Sequence, residues 1–191
     1  YGYFDRISVL DVTPQTGPQI VFSDQQNSQM LTNGGFENGF ADWTKNHAQL
    51  QTTDVYEGAQ AIQLPTATYY KQTWHRQAAL PGEVYSASVM AACSDITASV
   101  GMGLRFRDAS LNVIGGSSIG SLTSTRRYRQ YSTSNVRAPA NTAYVEIHFG
   151  AATGTYGGYA YFDQVSLLKN TGLPITVVST FESAGVTVLT D

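Results

Sequence analysis

The sequence predicts an all-β fold, an antiparallel sandwich or barrel, and three observations carry that expectation. The 3.6-residue periodicity of amphipathic helices is nearly absent. Alternation of apolar and polar residues recurs instead in short runs: VYSASVMA, VGMGLRFR, RQYSTSNVRA, AYVEIHFG and GYAYFDQVSLL. Turn-forming residues separate these runs, in LPGEV, RDASLN, APANT and GTYGG, where Pro presets φ and Gly or Asn tolerates left-handed backbone. Many short strands so punctuated fit two packed sheets or one closed sheet.

Taken in order, the chain begins with YFDRISVL at Tyr3–Leu10, which repeats at Tyr161–Leu168 as YFDQVSLL with five of eight residues identical. The spacing is that of a whole domain, so residues 1–10 are expected to be the last strand of a preceding similar module, the alternative being a strand of the same sandwich. Residues 11–30 then form a connector, residues 31–168 the main module, and residues 169–191 a linker or the start of the next unit. The chain resembles a slice of a longer protein. It starts at Tyr1, and a targeting segment removed before that residue is compatible with this reading.

Within the main module TNGGFENGFADW, Thr32–Trp43, is too rich in Gly and Asn for a helix and too aromatic for a solvated loop. Its single glutamate, Glu37, stands between residues that favour burial. Downstream, strand parity divides each run into two faces. In YVEIHF, Val145, Ile147 and Phe149 oppose Glu146 and His148; in MGLRFR, Met102, Leu104 and Phe106 oppose Arg105 and Arg107. The polar set is expected to point away from the core.

Charged residues are 13 % of the chain, about half the usual share, and the net charge is −3. No basic footprint exists for nucleic acid, and no run approaches the ~18 apolar residues that cross a membrane. A surface of hydroxyls and amides suits neutral, hydroxyl-rich ligands, and equally an extracellular or virion protein that must stay dissolved. The one cysteine, Cys93, lies in an alternating run and reads as a small buried hydrophobe.

TNGGFENGFADW, VYEGAQAIQL, ALPGEVYSASVMA, RFRDASLN, VRAPANTAYVEIHF and YAYFDQVSLL follow one another in the order and spacing of carbohydrate-binding modules of the family 4, 9 and 22 type. That pattern reads N-G-x-F-E-x-G-x-x-x-W, E-G-x-x-S-L, P-G-x-x-Y, F-x-D-x-x-G, A-P-x-x-T and Y-x-D-x-V-x-L. The resemblance covers the whole inferred module. It implies a galactose-binding-like jelly roll, an antiparallel β-sandwich, commonly carrying a structural calcium. Carried onto this chain, the implied calcium ligands are Gly35, Glu37, Gln60 and Asp163. Two carboxylates plus backbone carbonyls would suit the six to eight hard oxygens calcium takes. Gly34 and Gly35 are expected to turn those carbonyls inward from backbone angles other residues resist. Read without the resemblance, Glu37 is a capping or salt-bridge residue and Asp163 an edge-strand polar contact.

In the family the glycan lies across the concave sheet or at a loop edge, stacked on aromatics and hydrogen-bonded by polar side chains. The candidates here are Tyr70, Trp74, Arg105, Tyr128, Glu146 and His148, with Tyr69 and Tyr131 nearby in sequence. Each aromatic also reads as core or cross-strand packing, and each charge as a solvated or paired group. Catalysis has no motif to stand on: His47, His75 and His148 lack metal-ligand spacing, and no G-x-S-x-G elbow is present. Two functions are therefore expected. The first is a non-catalytic module of a secreted or surface protein, binding polysaccharide through stacking and hydrogen bonds, with neighbouring modules in the same chain. The second is a structural spacer of the same fold in a phage fibre or other virion or bacterial surface protein.

Overall fold

The computed structural model describes residues 26–65, 71–94, 99–123, 127–151 and 157–171, and the short strands Gln19–Ile20 and Val177–Val178. Its elements are β1 (Gln19–Ile20), β2 (Gln26–Gln29), β3 (Thr44–Asn46), β4 (Gln49–Gln51), β5 (Ala61–Pro65), β6 (Lys71–Ala78), β7 (Val84–Ser94), β8 (Val100–Arg107), β9 (Val113–Leu122), β10 (Arg129–Arg137), β11 (Tyr144–Ala151), β12 (Tyr159–Thr171) and β13 (Val177–Val178). The chain divides into two units. One comprises Tyr1–Gln25 and Gly172–Asp191, and its described part is the antiparallel pair β1–β13. The repeat at Tyr3–Leu10 lies outside the described residues.

The other unit, Gln26–Thr171, is an all-β sandwich. A six-stranded sheet runs β10-β7-β12-β5-β4, with β2 also on β12; a five-stranded sheet runs β3-β6-β11-β8-β9. Every named strand pair is antiparallel. The unit begins at Gln26 rather than at Leu31 and ends at Thr171 rather than Leu168. The reason is that Gln26–Gln29 pairs residue by residue with Leu168–Thr171. QNSQ has no apolar residue to announce a strand; its ladder is held by backbone hydrogen bonds and by Gln29, whose Oε1 accepts from Leu167 N at 3.1 Å and Met30 N at 3.0 Å.

The core lies between the sheets and follows strand parity. Tyr85, Val89 and Cys93 of β7 and Phe162 and Leu167 of β12 meet Leu104 and Phe106 of β8 and Val145, Ile147 and Phe149 of β11, all buried. Phe149 and Phe162 stack across the layers with centroids 4.4 Å apart. Trp43 closes this aromatic layer, 4.9 Å from Phe36 and 5.9 Å from Phe149, and its indole N–H donates to Asn33 O at 3.0 Å. Phe36 and Trp43 are thus core anchors. Asn33 organises the loop between them: Nδ2 donates to Gly39 O and Ala41 O, and Oδ1 accepts from Asn38 N.

The glycine pair of that loop works differently from the expectation. Neither Gly34 nor Gly35 has a positive φ; the left-handed residues of the loop are Phe36, Gly39 and Asp42, at φ 59°, 60° and 67°. Gly34 is required for proximity instead. A Cβ there would sit 2.0 Å from Val165 O, where β12 passes so close that Val165 N donates to Gly34 O at 2.9 Å. A bulge between Asp163 and Ser166 makes that approach possible, adding a residue so that Asp163 faces out and Val165 returns to the core.

Candidate functional site

The outer face of the five-stranded sheet is where the polar parity residues emerge. Register lines up Thr44, Trp74, His148, Gly103 and Ser118 across β3, β6, β11, β8 and β9. One pleat along, Arg76, Glu146, Arg105 and Gly116 form a second row. The groove over β8 and β9 holds about 410 Å3, within the range of small-ligand sites, and is lined by Gly101, Gly103, Arg105, Ser118, His148 and Gly150 among others. It exists because the lining is backbone and hydroxyl. A Cβ built on Gly101 would meet only Gly150 O, at 3.9 Å, and one on Gly103 only Ser117 O, at 3.7 Å. Longer side chains there would enter empty space.

Glu146 lies beneath the rim, fully buried, and is committed to two arginines. Arg76 donates from Nε at 3.0 Å and from Nη2 at 2.7 Å, both to Oε2; Arg107 donates from Nε to Oε2 at 2.8 Å and from Nη2 to Oε1 at 2.9 Å. Burial alone would raise its pKa, but the bonds from Arg107 and Arg76 outweigh burial and hold it below the ordinary carboxylate value. Arg107 also donates to Leu111 O, tying the 108–112 turn to the same network. Glu146 therefore fixes the floor of the face.

His148 is buried and neutral: desolvation, helped by the charge of Arg105, lowers its pKa to about 4. Its Nε2 lies 3.0 Å from Gln72 Oε1, which orients the ring. Trp74 is half-buried and lies one strand beyond His148, about 10 Å from Gly103 at ordinary strand spacing. Trp74, Arg105, Glu146 and His148 are thus gathered on one face, as strand parity anticipated for the last three.

Tyr128 is not part of it. It precedes β10, on the six-stranded sheet; its ring lies 5.6 Å from Tyr56 and its hydroxyl donates to Asp54 O. Burial, and then the charges of Asp163 and Asp54, push its pKa up. It was separated from the groove by topology: β10 pairs with β7 rather than with β9, so the residue just before it belongs to the opposite layer. Tyr69 and Tyr70 lie outside the described residues.

The four residues suggested as metal ligands do converge, on the outer side of β12. The 54–60 loop crosses Asp163, whose Oδ2 accepts from Tyr56 N at 3.0 Å and Glu57 N at 3.1 Å. Glu37 accepts from Ala59 N and Gln60 N, at 3.0–3.2 Å. Gly58, at φ 82°, allows that contact, since a Cβ there would lie 2.2 Å from Glu37 Oε1. A Cβ built on Gly35 would meet Gln164 Nε2 at 3.2 Å and Glu37 Cγ at 4.0 Å. Asp163 is fully buried, and its pKa is raised by burial and by the charge of Glu37, against three backbone N–H bonds that lower it. Among the described residues no cationic side chain pairs with either carboxylate. Nor is there among them a cluster of three or more His, Cys, Asp or Glu side chains. Glu37 Oε1 and Asp163 Oδ2 each accept two backbone N–H bonds, whereas Glu37 Oε2 and Asp163 Oδ1 accept one each and keep a lone pair that would suit a hard cation.

Sequence reasoning missed β9. VIGGSSIGSL carries three glycines and three serines, so neither apolar alternation nor strand propensity marks it, yet it forms one wall of the groove.

No protein-family model matches the sequence, and no curated protein matches it either. Solved structures do. The family 22 carbohydrate-binding module of Clostridium thermocellum Xyn10B superposes with a TM-score of 0.56 at 18 % identity, over 75 % of this chain and 98 % of that one. TmCBM61, solved in complex with β-1,4-galactotriose, gives 0.52 at 16 % identity, over 75 % and 99 %. The enzymatically active domain of bacteriophage CBA120 tailspike protein 4 gives 0.57 at 17 % identity, over 73 % of this chain, which spans only 21 % of that domain. The fold is therefore the antiparallel β-sandwich of carbohydrate-binding modules. Among the described residues no helix is long and apolar enough to cross a membrane.

Proposed function

We propose that Gln26–Thr171 is a non-catalytic polysaccharide-binding module whose ligand lies in the glycine-floored groove of the five-stranded sheet. The observation that supports it is the groove itself: an open trough on the outer sheet face, lined by His148 and Arg105 and floored largely by glycines, with Trp74 on the same face one strand beyond His148. A pyranose ring stacks its C–H face on an indole and needs fixed donors and acceptors at its edges, which His148, Arg105 and the serine hydroxyls supply. The shared fold of xylan-binding and galactotriose-bound modules supports the same reading.

The test is affinity electrophoresis and calorimetry against a polysaccharide panel with the wild type and Gly103→Val. Valine suits a strand and meets no close backbone, so the variant should keep its unfolding midpoint while its side chain fills the trough and removes binding. Trp74→Ala should weaken binding about tenfold, the share of one aromatic stacking contact. Undiminished binding by Gly103→Val would place the ligand elsewhere. The module is read as extracellular, on a cell surface or on a virion.

We propose in addition that Glu37 and Asp163, with backbone oxygens at Gly35 and Gln60, would hold a structural calcium, which would reinforce the attachment of the 54–60 loop to β12. Calcium would supply the missing counter-charge. Removing calcium should lower the melting temperature, with a shift that depends on ion concentration. An unchanged melting curve in excess chelator, with no metal in the protein, would overturn this. The likeness to a tailspike domain favours one second reading, a spacer in a virion fibre, for which no glycan binds and Gly103→Val changes nothing.

A further inference from the structure

The charges around the groove do not cancel. Across β3, β6, β8, β9 and β11, Glu146 is the only carboxylate, whereas the outward rows carry Arg76, Arg105 and Arg107. Glu146 is spent on Arg76 and Arg107, through four hydrogen bonds that engage both of its oxygens. Arg105 is its cross-strand neighbour in register, yet makes no hydrogen bond or ion pair among the described residues. Instead its side chain lines the trough, beside His148 and across from Gly116. This guanidinium stands half-buried in a chain whose net charge is −3.

We infer that the groove selects an anionic glycan, one bearing the carboxylate of a uronic acid, which Arg105 receives in its guanidinium fork. The inference rests on the groove being the glycan site and narrows what occupies it: composition alone pointed to neutral sugars. A planar guanidinium offers two parallel N–H donors that match the two oxygens of a carboxylate, a geometry lysine cannot reproduce. Burial of the contact between the groove walls would strengthen it relative to an exposed ion pair. His148, held uncharged beside Arg105, leaves the arginine as the one unpaired cation at the ligand.

The experiment compares one polymer in two forms, polygalacturonate and its carboxyl-reduced counterpart, by calorimetry with the 191-residue chain. Glucuronoxylan, debranched xylan and dextran sulfate serve as further arms. The expected result is at least tenfold tighter binding to a uronate polymer than to its neutral form. Arg105→Gln should bring that ratio near one, and Arg105→Lys should give an intermediate ratio. Urea midpoints report whether each variant is folded. Equal binding of charged and neutral polymers by the wild type overturns the inference while leaving the glycan-binding reading intact. A ratio unchanged in Arg105→Gln also overturns it. Dextran sulfate bound as tightly as uronate, with the same Arg105 dependence, overturns carboxylate selectivity in favour of bare charge. Failure of every polymer, neutral or charged, sinks both this inference and the reading it rests on.

Discussion

Replacing Glu146 by alanine tests whether the arginine-clamped carboxylate holds the outer face of the five-stranded sheet together. The side chain has no solvent exposure, while the side chains of Arg76 and Arg107 retain 25 % and 18 %. Deleting one partner of a buried ion pair costs about 3–5 kcal/mol, because the remaining charge is stranded. Here the two arginines reach water in part, so the lower end applies and about 3 kcal/mol is expected. Glu146→Gln keeps the shape and one acceptor but loses the charge, for a loss of about 1.5 kcal/mol. Urea unfolding at pH 7 reads both, as a lower midpoint at unchanged slope. The sign of the pH dependence is fixed as well. The folded pKa of Glu146 lies below its unfolded value, so its contribution is present above the ordinary glutamate value of 4.5 and is lost as pH falls through the lowered folded value. The gap between wild type and Glu146→Gln should therefore close in acid. A Glu146→Ala variant within 0.5 kcal/mol of wild type at pH 7 would refute the reasoning, since that is the scale of an ordinary surface change.

His148 gives a second pH signature. Its pKa falls from 6.5 in the unfolded chain to about 4 in the fold, so the unfolded chain takes up the proton first and stability drops between those values, by about 3 kcal/mol over the whole window. In His148→Gln the midpoint difference between pH 7 and pH 4.5 should be smaller than in wild type; an identical difference removes the claim. Gly34→Ala should cost about 2–4 kcal/mol, because its methyl meets the Val165 carbonyl at 2.0 Å and breaks the contact between the first loop and β12. Gly35→Ala, whose Cβ presses only on the movable end of Gln164 and reaches Glu37 Cγ at an ordinary 4.0 Å, should cost clearly less, and equal losses in thermal melts would contradict the distinction.

What the sequence made legible followed from period-two patterning. VGMGLRFR is β8 without a residue's error, and the inward Met102, Leu104 and Phe106 are buried as alternation requires. The same parity sent Arg105, Arg107, Glu146 and His148 outward. The pattern fails where strands are not amphipathic: QNSQ is held by backbone pairing, and VIGGSSIGSL has too few large side chains to reveal a face. Side-chain partnership was also beyond it. Nothing local shows that Glu146 is saturated by Arg76 and Arg107 while Arg105 is not, because the three arginines come from two strands and only register brings them together. Tyr128 illustrates the remaining gap: its distance from the groove depends on which sheet β10 joins, a pairing with a partner some forty residues earlier.

The alternation along β8 separates two kinds of change. Its even positions, Met102, Leu104 and Phe106, are packed on all sides; its odd positions, Gly101, Gly103 and Arg105, form the bed and the charge of the trough. A substitution at Gly101 or Gly103 alters the depth of the trough and meets only a carbonyl oxygen at van der Waals distance. The shape of the trough and the packing of the interior are thereby written into one eight-residue strand on alternate letters. Single replacements at Gly101 or Gly103 can therefore reshape the trough while the interior remains as it was.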